Sequence, residues 1–274
     1  MQLTGAVVVV TGGGDGIGAA LARRFAADGA RVVVNDIDGA RATQVAREVA
    51  GHPVACDASS ATGIAHLLHE TRAAYGEIDL FCANAGVARS GGPEAPDEAW
   101  AISGEVNVMA HVRTARALLP AWLARGRGHF LATVSAAGLL SHVAAAPYAV
   151  SKHGALAFAE WLSIAYGDRG ITVQALCPQG VRTDMLLRDD DAGRVLLLAD
   201  ALTPEEVAET VARQLASGRF LILPHPEVAR YELHRATDRQ RWLSGMRRIS
   251  ERVAAARRES TESGGAATAP PPTP

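Results

Sequence analysis

The chain has 274 residues, 48% of them hydrophobic, and a formal net charge of −2. That length fits one α/β domain or two small ones and supplies a sizeable core. The near-neutral balance excludes a global field that would attract nucleic acid or an anionic membrane.

The opening residues carry no leader pattern of charge followed by an apolar run. Val7 to Val10 is far too short to cross a bilayer. Short apolar runs predict strands at 6–10, 31–35, 54–56, 78–83, 129–135, 172–176 and 220–223. Helical stretches lie between them at 17–27, 39–49, 62–75, 98–124, 148–166 and 204–217. This alternation predicts a seven-stranded parallel sheet flanked by helices, an α/β doubly wound (Rossmann) arrangement. A ligand crevice is expected at the carboxyl ends of the strands. Pro224-His225-Pro226 stops the last strand, closing a single domain over 1–226. Residues 227–258 read as an arginine-rich helical extension, solvated because Glu232, Asp238 and Glu251 are interspersed. From 259 to 274 the composition turns to Ser, Gly, Ala, Thr and Pro, which predicts a disordered tail. Cys56, Cys82 and Cys177 each follow an apolar run and form no Cys-x-x-Cys pair. They read as small buried residues of a protein in a reducing cytoplasm.

The first strand ends in Thr11-Gly12-Gly13-Gly14-Asp15-Gly16-Ile17-Gly18. A glycine-rich turn between a strand and a helix lets the main chain approach a pyrophosphate, and the helix amino terminus favours its charge. Asp36 follows the second strand, where a carboxylate accepts from the ribose hydroxyls of an adenosine and repels a 2′-phosphate. Asp15 adds negative charge to the turn, so NAD is expected rather than NADP. Arg41, the nearby cation, is read as solvated on its helix face. Asp57 is read two ways: as a contact for the adenine amino group, or as a cap for the helix after it.

Lys152 is the only lysine; the other 26 basic side chains are arginine. It stands four residues after Tyr148, in a stretch predicted to be helical, so phenol and ammonium share a face. Bringing a phenol from its usual pKa of about 10 toward neutrality requires ~4 kcal/mol. A unit charge at ~4 Å in an effective dielectric near 20 supplies about that much. Desolvation opposes it, and a second positive charge, such as an oxidised nicotinamide ring, closes the gap.

These residues together resemble the short-chain dehydrogenase/reductase family over about residues 3–225. The glycine turn matches that family's nucleotide loop, and Asn84-Ala85-Gly86 matches its motif after the fourth strand. Asn107, Ser135, Tyr148 and Lys152 fall where its catalytic tetrad falls. Pro178-Gln179-Gly180-Val181-Arg182-Thr183 resembles its nicotinamide-binding segment. The resemblance implies pro-S hydride transfer between NAD(H) and a secondary alcohol or ketone. Tyr148 would be the acid/base, Lys152 would lower the phenol pKa and hold the nicotinamide ribose, and Ser135 would donate to the substrate oxygen. Asn107 would hold a water linking Lys152 to solvent, and Asn84 would tie neighbouring strands. Val181 and Thr183 would bind the carboxamide. Assembly as a homo-oligomer, a dimer or tetramer through the long helices, is implied by the family alone.

One departure concerns Gln179, which stands where the family usually has glycine. It either narrows the substrate site, offers a hydrogen bond there, or turns to solvent. His142 lies in a stretch expected to border substrate, as a contact or as a plain loop residue. The segment 183–202, with Met185, Leu186, Leu187 and Val195 to Leu198, is read as a lid over a hydrophobic substrate or as a short packed helix. Asp189, Asp190 and Asp191 within it argue against a strongly anionic substrate. His66 and His69 share helical spacing with no ligand completing a set, so no metal is expected. An NADPH-dependent carbonyl reductase and a non-catalytic dinucleotide sensor are the alternatives to the NAD enzyme.

Overall fold

The computed structural model describes residues 1–187 and 197–265. Seven parallel strands form one sheet in the order β3-β2-β1-β4-β5-β6-β7. They are β1 (Val7–Thr11), β2 (Arg31–Asp36), β3 (His52–Ala55), β4 (Leu80–Ala83), β5 (Gly128–Thr133), β6 (Ile171–Leu176) and β7 (Leu221–Ile222). The expected doubly wound α/β architecture is present. Strand order reverses between β1 and β4, the place where such sheets open a crevice.

The central strands β1 and β4 are buried at every position because both faces are covered. Alternation sends Val7 and Val9 to one core, with Phe81, Trp122 and Phe130. Val8 and Val10 go to the other, with Leu21, Phe25 and Leu131. The second core is closed by α1 (Gly16–Ala27), α2 (Gly39–Glu48) and α9 (Pro204–Leu215), and the first by α3 (Ala61–Tyr75), α5 (Ala110–Arg125) and α7 (Ala146–Tyr166). Short polar residues start these helices by accepting from free backbone N–H groups. Asp38 accepts from Ala40 and Arg41, Ser60 from Gly63, and Thr203 forms a capping box with Glu206. Ser60, not Asp57, therefore caps α3. Asp57 instead holds the preceding turn, its Oδ1 accepting from Ser59 N at 2.8 Å and Ser59 Oγ at 2.7 Å.

Several elements differ from expectation. The single helix expected over 98–124 is α4 (Asp97–Gly104), a π-helical turn (Glu105–Met109) and α5. The wider turn carries Asn107, and such insertions recur at functional sites. Two short helices, α6 (Ala136–Leu139) after β5 and α8 (Asp184–Leu187) after β6, add to the expected set. The terminal extension is two helices, α10 (Glu227–Thr237) and α11 (Arg239–Gly265), and helix continues through the first residues expected to be disordered. The break falls at Asp238, whose Oδ1 accepts from Arg241 N at 2.9 Å and so starts a new helix. The remainder of the expected tail, 266–274, lies outside the described residues.

Candidate active site

A cavity of about 390 Å³ opens at the carboxyl ends of the strands. Its lining runs without a break from the glycine turn to Tyr148 and Lys152.

At one end the turn is fixed by main-chain contacts. Gly12 takes a positive φ of 59°, a conformation that favours glycine. A Cβ on Gly18 would run into the Gly12 carbonyl oxygen and stand 2.6 Å from Asn84 Nδ2. Thr11 faces the sheet, its Oγ1 accepting from Asn84 N at 3.0 Å and from Ala85 N at 3.1 Å. Asn84 Nδ2 donates to Thr11 O at 3.0 Å, and its Oδ1 accepts from Thr133 Oγ1 at 3.1 Å. One side chain thus ties β1 and β4 to β5. Asp36 Oδ2 accepts from Gly14 N at 3.1 Å and its Oδ1 from Asp38 N at 3.0 Å, holding the carboxylate at the cavity edge. Arg41 is not simply solvated. Its guanidinium pairs with Asp15 at 3.0 Å and Asp38 at 3.5 Å, with Asp184 at 4.0 Å.

At the other end, side chains converge from distant segments. Tyr148 and Lys152 lie one turn apart on α7, with Nζ 5.7 Å from the phenol ring centroid. Lys152 is only 3% exposed, and its Nζ donates to Thr133 O at 3.0 Å. Burial lowers its pKa to about 8, so the side chain is still an ammonium at neutral pH. Asn107 Oδ1 accepts from Val87 N at 2.9 Å, while its Nδ2 donates to Val87 O and Ser151 Oγ, both at 2.9 Å. Gly86 keeps open the space between them: a Cβ there would stand 3.2 Å from Asn107 Oδ1 and 3.4 Å from Lys152 Nζ. Ser135 caps α6, its Oγ accepting from Ala137 N at 3.1 Å. The same hydroxyl donates to Pro178 O over a long 3.4 Å, a bond easily exchanged for another acceptor.

His142 meets the Tyr148 ring edge-on, with centroids 6.4 Å apart. Its neighbour Ser141 holds a φ of 130°, strained for a residue with a side chain. Ile17, Ala85, Pro178, Gly180, Val181, Thr183 and Met185 also line the cavity, joined by Leu140, Leu186 and Leu197. Gly14, Gly18 and Asn107 stand behind the wall, and exposed Asp57 is not part of the lining. The lid residues Asp189, Asp190, Asp191, Val195 and Leu196 lie outside the described residues. His66 and His69 are exposed on α3.

Sequence reasoning missed His111. It sits one turn beyond Asn107, 1% exposed, its ring edge-on to Phe130 at 6.0 Å. Burial, then the nearby Lys152 charge, lowers its pKa to about 3, so the imidazole is neutral. Its ring nitrogens make no hydrogen bond of normal geometry among the described residues, the Ala83 backbone being the polar group they approach.

Residues 6–192 match the family described as short chain dehydrogenase. The chain belongs to the short-chain dehydrogenase/reductase family. It is similar to the 1-deoxy-11-beta-hydroxypentalenate dehydrogenase of Streptomyces exfoliatus, 35% identical over 236 residues, 83% of this chain and 86% of that one. It is 30% identical over 220 residues to the 3-oxoacyl-[acyl-carrier-protein] reductase of Escherichia coli, covering 77% and 90% of the two chains. A short-chain dehydrogenase/reductase from Burkholderia phymatum, solved in complex with NAD, superposes with a TM-score of 0.80 at 28% identity. That superposition covers 87% of this chain and 95% of the other. This short-chain dehydrogenase/reductase is an oxidoreductase of hydroxyl or keto groups and uses a nicotinamide dinucleotide. Among the described residues, no helix is long and apolar enough to cross a membrane.

Proposed function

We propose that the protein oxidises a secondary alcohol of largely apolar body, or reduces the matching ketone, with NAD(H) as cofactor and Tyr148 as acid/base. The observation that carries this reading is one cavity joining the glycine turn to a phenol beside a buried ammonium. The bound nicotinamide would supply the hydride acceptor or donor and, when oxidised, a positive charge near the phenol. In the oxidative direction Tyr148 Oη takes the substrate hydroxyl proton. Lys152 stabilises the phenolate, and its burial strengthens that effect by excluding water. Ser135 Oγ, oriented by Ala137 N, turns its hydrogen from Pro178 O to the substrate oxygen. Asn107 shapes the chamber around Lys152 through which the proton passes toward solvent. Both of its amide hydrogens are committed, to Val87 O and Ser151 Oγ, while Oδ1, which accepts from Val87 N, keeps a second lone pair for the expected water. Val181 and Thr183 face the carboxamide end.

Electrostatics support NAD over NADP. Asp15, Asp38 and Asp184 surround one guanidinium, and Asp36 adds a fourth carboxylate at Gly14, leaving a net negative mouth that repels a 2′-phosphate. Leu140, Met185, Leu186 and Leu197 support an apolar substrate, as does the hydroxypentalenate in the name of the Streptomyces relative. Free thiols at Cys56, Cys82 and Cys177 suit a reducing cytoplasm. Val150, Trp161 and Ile164 are exposed along α7 and suit a contact between copies in a homo-oligomer. Fluorescence titration tests the cofactor assignment: NADH should bind at least about tenfold more tightly than NADPH, a difference of ~1.4 kcal/mol. Tighter binding of NADPH overturns it. A panel of secondary alcohols followed by NADH fluorescence then identifies the substrate class.

A further inference from the structure

Gln179, where the family usually has glycine, is half-buried at the cavity wall, and its side chain is held rather than free. Its Nε2 donates to Glu227 Oε1 at 2.6 Å, and its backbone N donates to His225 Nδ1 at 3.2 Å. His225 is 4% exposed. Since its Nδ1 accepts, its ring proton is on Nε2. The preceding carbonyl, Pro178 O, accepts from Ala136 N at 2.8 Å and from Ser135 Oγ. One peptide unit is therefore gripped from both sides, by the Ser135 turn and by the residues that open α10.

Helix α10 is itself anchored. Val228 is fully buried in the core, next to Glu227. Further along, Arg235 Nη2 approaches His153 Nε2 at 3.3 Å, and His153 Nδ1 meets Ala149 O at 2.9 Å. A carbonyl only accepts, so Nδ1 donates and Nε2 accepts from the arginine. His153 directly follows Lys152. Helix α10 thus holds both α7, which carries Tyr148 and Lys152, and the 178–183 segment.

We propose that Gln179 and Glu227 are positioning residues: their hydrogen bond makes α10 a splint that sets where 178–183 stands and so tunes affinity for the nicotinamide half of the cofactor. The inference rests on the NAD reading above. It predicts a selective effect, because the adenosine half is held by the glycine turn and Asp36, which α10 does not touch through this bond.

The test uses the full chain and two ligands, NADH and ADP-ribose, titrated calorimetrically. Glu227→Ala should weaken NADH roughly fivefold to tenfold, as expected for losing a partly exposed bond to a carboxylate. ADP-ribose, which lacks the nicotinamide, should change by less than about twofold. Glu227→Gln keeps an acceptor for Gln179 and should restore NADH binding to near wild type. Unchanged NADH binding in Glu227→Ala overturns the splint. So does equal weakening of both ligands, which marks a general structural defect. Wild-type protein that binds neither ligand overturns the NAD reading itself, and the splint with it.

Discussion

The glycine-turn end of the crevice is made of neighbours: residues 11–18 form one turn, and Asp36 reaches it from the adjacent strand. The Tyr148 end joins residues far apart in sequence, with Asn107 bonded to Ser151 across 44 positions and Gln179 to Glu227 across 48. The first end works through backbone groups, so it tolerates side chains only where they point away. The second works through side-chain charge around a buried ammonium, so its properties depend on burial. A dinucleotide presents the same phosphates to every member of such a fold, and a local turn suffices. A proton transfer requires a tuned pKa, which only tertiary enclosure supplies.

Substitutions at the two ends should therefore fail in different ways. The largest effect is expected for Tyr148→Phe. Turnover should fall by at least about a thousandfold, the upper part of what a positioned acid/base contributes, while NADH binding persists. Turnover near wild type would remove Tyr148 from the chemistry. Next is Gly18→Ala at the backbone-built end. Its methyl collides with the Gly12 carbonyl, which cannot swing aside as a flexible side chain could. NADH and ADP-ribose should both weaken by roughly a hundredfold, or ~2.7 kcal/mol; retained affinity for either ligand would show that the turn can relax.

The smallest effect is a linkage measurement on Lys152. Its folded pKa of about 8 lies below the ordinary 10.5. Between those values the unfolded chain holds a proton that the folded chain has released, so this group's contribution to stability rises with pH. Relative to Lys152→Met, wild-type protein should gain about 1.4 kcal/mol per pH unit across that window. Urea unfolding at two pH values reads the difference, and a gap that stays flat or shrinks would remove the buried ammonium from the electrostatic account.

How much of this was legible in sequence follows the same division. The strand alternation, the glycine turn, Asp36 and the Tyr148–Lys152 spacing are short-range patterns, and the sheet and cavity contain all of them. The π-turn at Asn107 was not legible, because one extra residue in a helix barely disturbs apolar periodicity over 98–124. The fate of Arg41 depends on α2 standing beside the glycine turn, a fact of packing. His111 reads as an ordinary helix residue until burial makes it neutral. Gln179 was visible as a departure, but its partner lies beyond the last strand, and nothing local points to Glu227. The break at Asp238 did have a signal, since aspartate before a polar helical stretch is a common helix start.

The solitary lysine has one more consequence. Reductive methylation with isotopically labelled formaldehyde would mark a single side-chain amine, besides the amino terminus, in the entire chain. Its nuclear resonance would then report the protonation of the chamber beside Tyr148, with only the amino-terminal signal to tell apart from it.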